Sequence, residues 1–247
     1  MLGNLKDFNP ETDSVKYEDM PLYDKYMMIE LNKFVKSALK HYDGYNFQEV
    51  YKLVNYFVTF ILSNFYLDFT KDILYIEKAD SKVRRSVQTV LYNVLNAEIR
   101  ILAPILPYTS EEVYALLNPN GESVHLEDMP EVAQYNDEAE VLALFEKFFE
   151  LKETIYRALE VARNEKVIGA GLEAEVKLHL DEKYSCVKEK LGENLRQLLI
   201  VSKITYVEEG NEVEVVKHSG EKCERCWNYV DHVEDGICPR CKAVVSE

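Results

Sequence analysis

The sequence predicts a mainly α-helical fold: an antiparallel helical bundle, then a small α+β module, then a compact four-cysteine zinc knob. Three observations predict it. Apolar residues recur at helical spacing in successive stretches up to Leu117. From Glu173 the texture changes to the alternation of half-buried strands. Near the end, Cys223-x-x-Cys226 and Cys238-x-x-Cys241 form two matched pairs separated by eleven residues. The 247 residues, 47% of them apolar, suffice for one large domain or a medium one with appendages, and for a true core.

The residues through Met20 are polar, with Asn9-Pro10 as a turn, and read as a lead-in segment or linker (1–20). The bundle is expected over 21–137. After Pro21, Tyr23, Tyr26, Met27, Leu31, Phe34, Val35 and Leu39 mark one face of a first helix, with Gly44 as its stop. Asn46 with Glu49 forms a cap pair for a second helix running to about Phe69. Its stretch from Val54 to Leu67 is apolar on nearly every side and predicts a central, buried helix. A third helix opens near Asp80-Ser81, carries Val83, Val87, Val90, Leu91, Val94, Leu95 and Ile99, and stops at Pro104. Thr109-Ser-Glu-Glu112 reads as a capping box for a short fourth helix to Leu117. Residues 118–138 are irregular, with a turn at Asn118-Pro-Asn-Gly121.

A second region is expected over 138–216. A long amphipathic helix spans roughly Glu138 to Asn164, and strands follow near Glu173–Leu180, Ile200–Val207 and Val213–Lys217. One or two short helices fill Glu182–Leu199. The tail, 217–247, is the metal-binding segment. A CxxC turn aims two sulfurs at one point, and two facing turns supply the tetrahedral thiolate set that zinc prefers. Disulfides and a redox CxxC are the alternatives, but a redox motif is normally single. Four protein ligands, Cys223, Cys226, Cys238 and Cys241, leave no open position, so one structural rather than catalytic Zn2+ is expected. Cys186 remains as an ordinary thiol. His218 and His232 flank the segment without displacing a cysteine.

The charge pattern limits the function. The chain carries a net −15, which argues against binding nucleic acid by bulk electrostatics. From Lys217 onward five Lys/Arg face six Asp/Glu, a net of −1, so any RNA contact must be local. Lys222 and Arg225 at one CxxC and Arg240 and Lys242 at the other could offset the charge of a four-thiolate zinc centre. Together with the lone Trp227 they could equally meet RNA, arginine on phosphate or base edge and indole on an unpaired base. Trp227 could instead cap the knob's small core. Arg84 and Arg85 on the third helix could touch RNA backbone or pair with some of the 44 acidic residues. No catalytic residues are expected: pairs such as Glu111-Glu112 suit helix capping, and the nine glycines form no phosphate-cradling loop. No apolar run is long enough to span a membrane and no leader opens the chain, so a cytoplasmic, monomeric protein without membrane contact is expected.

The ordered motifs resemble the C-terminal part of a bacterial-type isoleucyl-tRNA synthetase. Leu62-Ser-Asn-Phe-Tyr-Leu-Asp68, then Arg85, Gln88-Thr-Val-Leu-Tyr92, Leu102-Ala-Pro-Ile-Leu-Pro107 and Thr109-Ser-Glu-Glu112 are similar to that family's bundle. Ala162-Arg-Asn-Glu-Lys-Val-Ile-Gly169 with Gly171-Leu-Glu-Ala174 resembles its junction, where serine is common at the position of Gly171. Lys222-Cys-Glu-Arg-Cys-Trp-Asn-Tyr229 and Cys238-Pro-Arg-Cys241 resemble its zinc tail. Related synthetases share the bundle, but the junction motif and zinc tail together point to isoleucine. The resemblance implies a bundle of the class I synthetase anticodon-binding type and a partner, the anticodon stem-loop of isoleucine tRNA. It also implies that ATP-dependent ligation belongs to catalytic and editing domains elsewhere in the same enzyme. HIGH and KMSKS signatures are absent from these residues, so this chain alone is expected to be inactive. Two other readings are a nucleic-acid-binding protein of the DNA glycosylase finger type, though Met1-Leu2-Gly3 lacks the Pro-Glu start such enzymes need, and a zinc-bearing interaction protein.

Overall fold

The structure is a computed structural model and describes residues 1–246. It divides into two compact units, Met1–Glu138 and the residues from Ala139 onward.

In the first unit, α1 (Leu22–Asp43) packs against α2 (Phe47–Tyr56) and α4 (Lys82–Leu102). α2 continues without a break through a π-helical stretch, Phe57–Tyr66, into α3 (Leu67–Ile76), and α5 (Pro107–Leu117) packs on α4. The helical spacing read from the sequence delivers the core: Tyr23, Met27, Ile29, Phe34, Val87, Val90, Leu91, Val94 and Ile101 are buried. Phe34 stacks on Phe57 at 4.4 Å between centroids, and Tyr23 meets Phe69 edge-on at 5.3 Å. One acid lies wholly inside. Asp24 accepts from the Tyr66 hydroxyl and the Ser86 hydroxyl, each at 2.5 Å, tying α1 to the π stretch and to α4. Burial pushes its carboxyl up to about 7 against the pull of those two donors.

Several local expectations are corrected. The second helix runs on past Phe69 to Ile76. Asn46 makes no side-chain cap, and Glu49 pairs instead with Lys52 at 2.8 Å. The left-handed residue after α1 is Tyr45 (φ 56°), while Gly44 keeps φ −88°. The stretch expected to be central is an outer helix: Tyr56, Val58 and Phe60 are exposed, at 55%, 37% and 57%. Its inner face is provided by Phe57, Leu62, Phe65 and Tyr66, and the wider π turn, closed by Leu67 N–H on Leu62 O, rotates the other residues outward. The fourth helix begins at Pro107, two residues before Thr109, because proline at N1 already suits the first turn. Glu111 instead turns to the following loop, accepting from Ser123 Oγ and Val124 N at 2.9 Å each. Ser81 does cap α4, accepting from Arg84 N–H at 3.2 Å. The polar opening segment is folded against α4: Leu5 and Met20 are buried, and Val15 N–H donates to Thr89 Oγ1.

In the second unit, α6 (Glu138–Asn164) buries Val141, Leu144, Phe145, Phe148, Leu151, Ile155 and Leu159 along one stripe. β1 (Ala174–Leu178) is the central strand of a three-stranded mixed sheet in the order β2-β1-β3. It pairs in parallel with β2 (Lys203–Tyr206) and antiparallel with β3 (Val213–Lys217), so Val176 lies between Ile204 and Val215. Ala174, Val176 and Leu178 are fully buried while Glu175 and Lys177 face outward, the alternation the sequence displays. α7 (Ser185–Leu191) and α8 (Asn194–Leu198) connect β1 to β2. A Cβ on Gly171 would lie 2.9 Å from the Ile200 carbonyl oxygen, so glycine allows a close backbone approach at the junction. A two-stranded hairpin, β4 (Glu221–Lys222) and β5 (Tyr229–Val230), and α9 (Pro239–Val245) complete the fold. No helix among the described residues is long and apolar enough to cross a membrane.

Candidate metal centre and nucleic-acid interface

Two turns converge to build the cysteine site. In the first, the β4–β5 hairpin closes over Cys223–Cys226 with Trp227 N–H on Cys223 O and Cys223 N–H on Asn228 O, both 2.9 Å. Trp227 takes a left-handed backbone (φ 64°) to complete that turn. In the second, Glu234 and Ile237 exchange backbone hydrogen bonds across Asp235-Gly236, whose φ values of 52° and 79° are those of a type I′ turn. Cys238 then caps α9, with Pro239 in its first turn and Cys241 N–H directed at Cys238 Sγ at 3.5 Å. Cys238 N–H also reaches Cys223 Sγ at 3.3 Å.

All four cysteines are buried, and their sulfurs lie within 4.8 Å of one another. Cys226 Sγ and Cys238 Sγ are 3.7 Å apart, too far for a disulfide at ~2.05 Å. A tetrahedron with metal–sulfur bonds of ~2.3 Å has edges of about 3.8 Å. The group could therefore hold a metal ion. The electrostatics agree. Burial opposes ionisation of Cys223, but N–H donors from Cys226, Cys238 and Arg225 outweigh it and bring the thiol down to about 6. Burial raises Cys226, and it raises Cys241 far more strongly, against the pull of an Arg225 hydrogen bond. One sulfur is readied as thiolate while others resist further negative charge, a conflict that a divalent cation removes.

The remaining residues singled out in the sequence divide by environment. Arg225 folds over the cage onto Cys241. Lys242 pairs with Glu234, and Arg240 is half-buried beside Cys238 and Pro239. Trp227 is 61% exposed and caps no core, with the Lys222 ammonium 5.7 Å from its ring centroid. Arg84 and Arg85 lie in the other unit, engaged within the protein. Arg84 clasps both oxygens of Asp7 at 2.6 and 3.0 Å and holds that carboxyl down at about 2. Arg85 meets Asp7 O, Gln88 and Asp13. Neither histidine is among the clustered ligands, and His218 Nδ1 accepts from Gly220 N–H at 2.9 Å.

Sequence reasoning missed the docking of the knob on the α+β module. Arg196 of α8 donates to Asn228 Oδ1 at 2.8 Å, Asn228 donates to Cys226 O at 3.2 Å, and Ser202 Oγ accepts Tyr229 N–H at 2.7 Å. These partners are 27 to 32 residues apart along the chain except for the local Asn228 contact, so no local signal announces them.

Residues 24–178 match the family described as the anticodon-binding domain of tRNA ligase. The chain belongs to that family. The match covers the bundle from α1 to α5, α6 and β1; the cysteine cage lies beyond it. Over its whole length the chain is also 47% identical to the isoleucine–tRNA ligase of Staphylococcus carnosus. Over 99% of its length it is 43% identical to that of Macrococcus caseolyticus and 42% identical to that of Staphylococcus epidermidis. It spans 28% of the length of each of these relatives. Thus the tail of the chain, and not only its bundle, is similar to these isoleucine–tRNA ligases.

Proposed function

We propose that this chain is the anticodon-reading part of an isoleucine–tRNA ligase, with one structural Zn2+ held by Cys223, Cys226, Cys238 and Cys241. The single observation that carries the reading is likeness to isoleucine–tRNA ligases along the entire chain, tail included. The cage geometry supports zinc: four buried sulfurs at tetrahedral spacing, every position occupied by protein. Bound zinc would supply a fixed charge and a rigid frame, not reaction chemistry. Around it Arg225 offsets thiolate charge, while Trp227 and Lys222 stand exposed where an unpaired base could stack. Arg240 and Lys242 flank the same cage. Arg84 and Arg85 are left out of the RNA contact because Asp7 and Asp13 already engage them.

In this reading the chain selects and orients isoleucine tRNA, and ATP-dependent ligation and editing belong to further domains of the same polypeptide. By itself it joins no amino acid to tRNA; it works as a monomer in the cytoplasm. The glycosylase-finger alternative draws no support from a chain-long likeness to tRNA ligases. The test is a titration of the zinc-loaded chain with isoleucine tRNA and with the same tRNA carrying a changed anticodon, at fixed low salt. Preference for the native anticodon supports the reading, and equal binding of the two refutes recognition by this part alone.

A further inference from the structure

A pocket of about 210 Å3 lies inside the first unit, between α1, α4 and the irregular strap from Pro130 to Tyr135. That is below the ~300 Å3 at which sites for drug-sized ligands begin, so it suits a molecule of few atoms. The strap is fastened in place. Asn32 of α1 donates to Ala133 O and accepts from Ala133 N–H, both at 2.7 Å. Tyr135 stacks on Tyr17 with 4.0 Å between ring centroids.

The lining is of two kinds. Met28, Leu31 and Val35 of α1 and Ala97 of α4 supply apolar surface, and all but Met28 are buried. α4 also supplies Asn96 and Arg100, four residues apart and so neighbours on one helix face. Each carries an atom that has lost water without gaining a partner. Among the described residues four buried side-chain N and O atoms lack a hydrogen bond, and Asn96 Oδ1 and Arg100 Nε are two of them. The rest of the Arg100 guanidinium is engaged: Nη1 donates to Asp128 O at 3.4 Å, and Nη2 lies 3.7 Å from Glu127. Nε–H is the donor left over. Asn93, one turn earlier in the same pocket wall, donates to Thr89 O at 2.8 Å, so the unmet pair is particular to Asn96 and Arg100. Buried hydrogen bonds left unmade are costly, and a donor and an acceptor unmet in one pocket mark a place for a guest. The charged residues of the lining are Arg100 and Glu131, one of each sign, so the guest is neutral.

We infer that this pocket binds a small neutral carboxamide with an apolar body. Its carbonyl oxygen accepts from Arg100 Nε–H, its amide N–H donates to Asn96 Oδ1, and its body lies on Leu31, Val35 and Ala97. A carboxamide carries an acceptor and a donor on one carbon in a fixed plane, so a single group answers both unmet atoms. A carboxylate, with no donor, cannot. The site belongs to the bundle, and the RNA reading makes no use of it.

The test uses the full zinc-loaded chain. The side-chain amide signals of Asn96 and the Nε–H signal of Arg100 are followed by NMR during titration with benzamide and, separately, with benzoate, which keeps the ring and an acceptor but has no N–H. Expected are saturable shifts of both residues with benzamide and at least tenfold weaker binding of benzoate. Asn96→Leu removes the acceptor at nearly equal volume, and Arg100→Lys keeps a cation near Glu127 without the Nε–H. Each variant, checked for helical signal and melting, is expected to bind benzamide about tenfold more weakly. No saturable shift in wild type overturns the site and assigns the two atoms to ordered water. Benzoate bound as tightly as benzamide overturns the neutral amide as occupant. Folded variants that bind benzamide like wild type overturn the two contacts. Should neither variant fold, the comparison of benzamide with benzoate in wild type decides. None of these readouts depends on tRNA.

Discussion

At Gly236 the backbone adopts φ 79°, in a two-residue turn that brings the second cysteine pair back to the first. An L side chain there raises the local energy by roughly 1–2 kcal/mol, so Gly236→Ala should weaken metal retention at equal pH, read by competition with a chromogenic chelator. Asp24 makes a different prediction. Burial raises its carboxyl from 3.8 to about 7, and burial likewise raises Glu98 to about 7. Between about pH 4 and 7 the folded chain therefore holds protons that the unfolded chain has released, and stability falls as pH rises through that window. Urea unfolding of the bundle should show a higher midpoint at pH 6 than at pH 8, and Asp24→Asn should flatten that difference. An unchanged slope in Asp24→Asn would assign the effect elsewhere. Below pH 4 the sign reverses, because Asp7, held down to about 2 by Arg84, then loses its ion pair. The convergence of Cys223, Cys226, Cys238 and Cys241 was legible residue by residue, since their spacing dictates it. Arg84 was not: its partner Asp7 lies 77 residues away, and only folding of the opening segment onto α4 reveals that the arginine is occupied.

Among the elements, α1, α4, α6 and β1 were readable because each carries one apolar stripe or alternation, and α4 in addition a working cap in Ser81. The stretch from Val54 to Leu67 misled for a physical reason. Apolar content suggested burial, but a π-helical turn changes the angular spacing, so the inner face is filled by Phe57, Leu62, Phe65 and Tyr66 and Phe60 is left outside. Elements in the tail have little hydrophobic area of their own, so on the proposed reading they depend on metal–thiolate bonding. β4 and β5 have two residues each and α9 seven, too short to persist unaided. Metal binding in such small domains contributes roughly 10–16 kcal/mol of apparent free energy. Chelation should therefore unfold the segment after about residue 217 while the helical signal of α1–α6 largely persists, as followed by circular dichroism and amide exchange. Loss of the entire helical signal on metal removal would contradict this modularity.

For the whole molecule, if so strongly acidic a chain meets RNA as proposed, it must do so through a confined site, and the second unit offers the cysteine cage with its exposed Trp227. Trp227→Ala should weaken binding of isoleucine tRNA several-fold if the base stack forms, within the ~1–3 kcal/mol typical of one aromatic–base contact, while Arg84→Gln should leave tRNA affinity unchanged and lower only thermal stability. On the proposed function, a metal-held tail reads the anticodon. Its most direct test is the ratio of affinities for isoleucine tRNA and its anticodon-changed counterpart, measured on the zinc-loaded chain and again after chelation at the same salt. A clear preference is expected, collapsing toward one when zinc is withdrawn and returning when it is restored. A preference that survives complete zinc removal would show that the tail is not the reader.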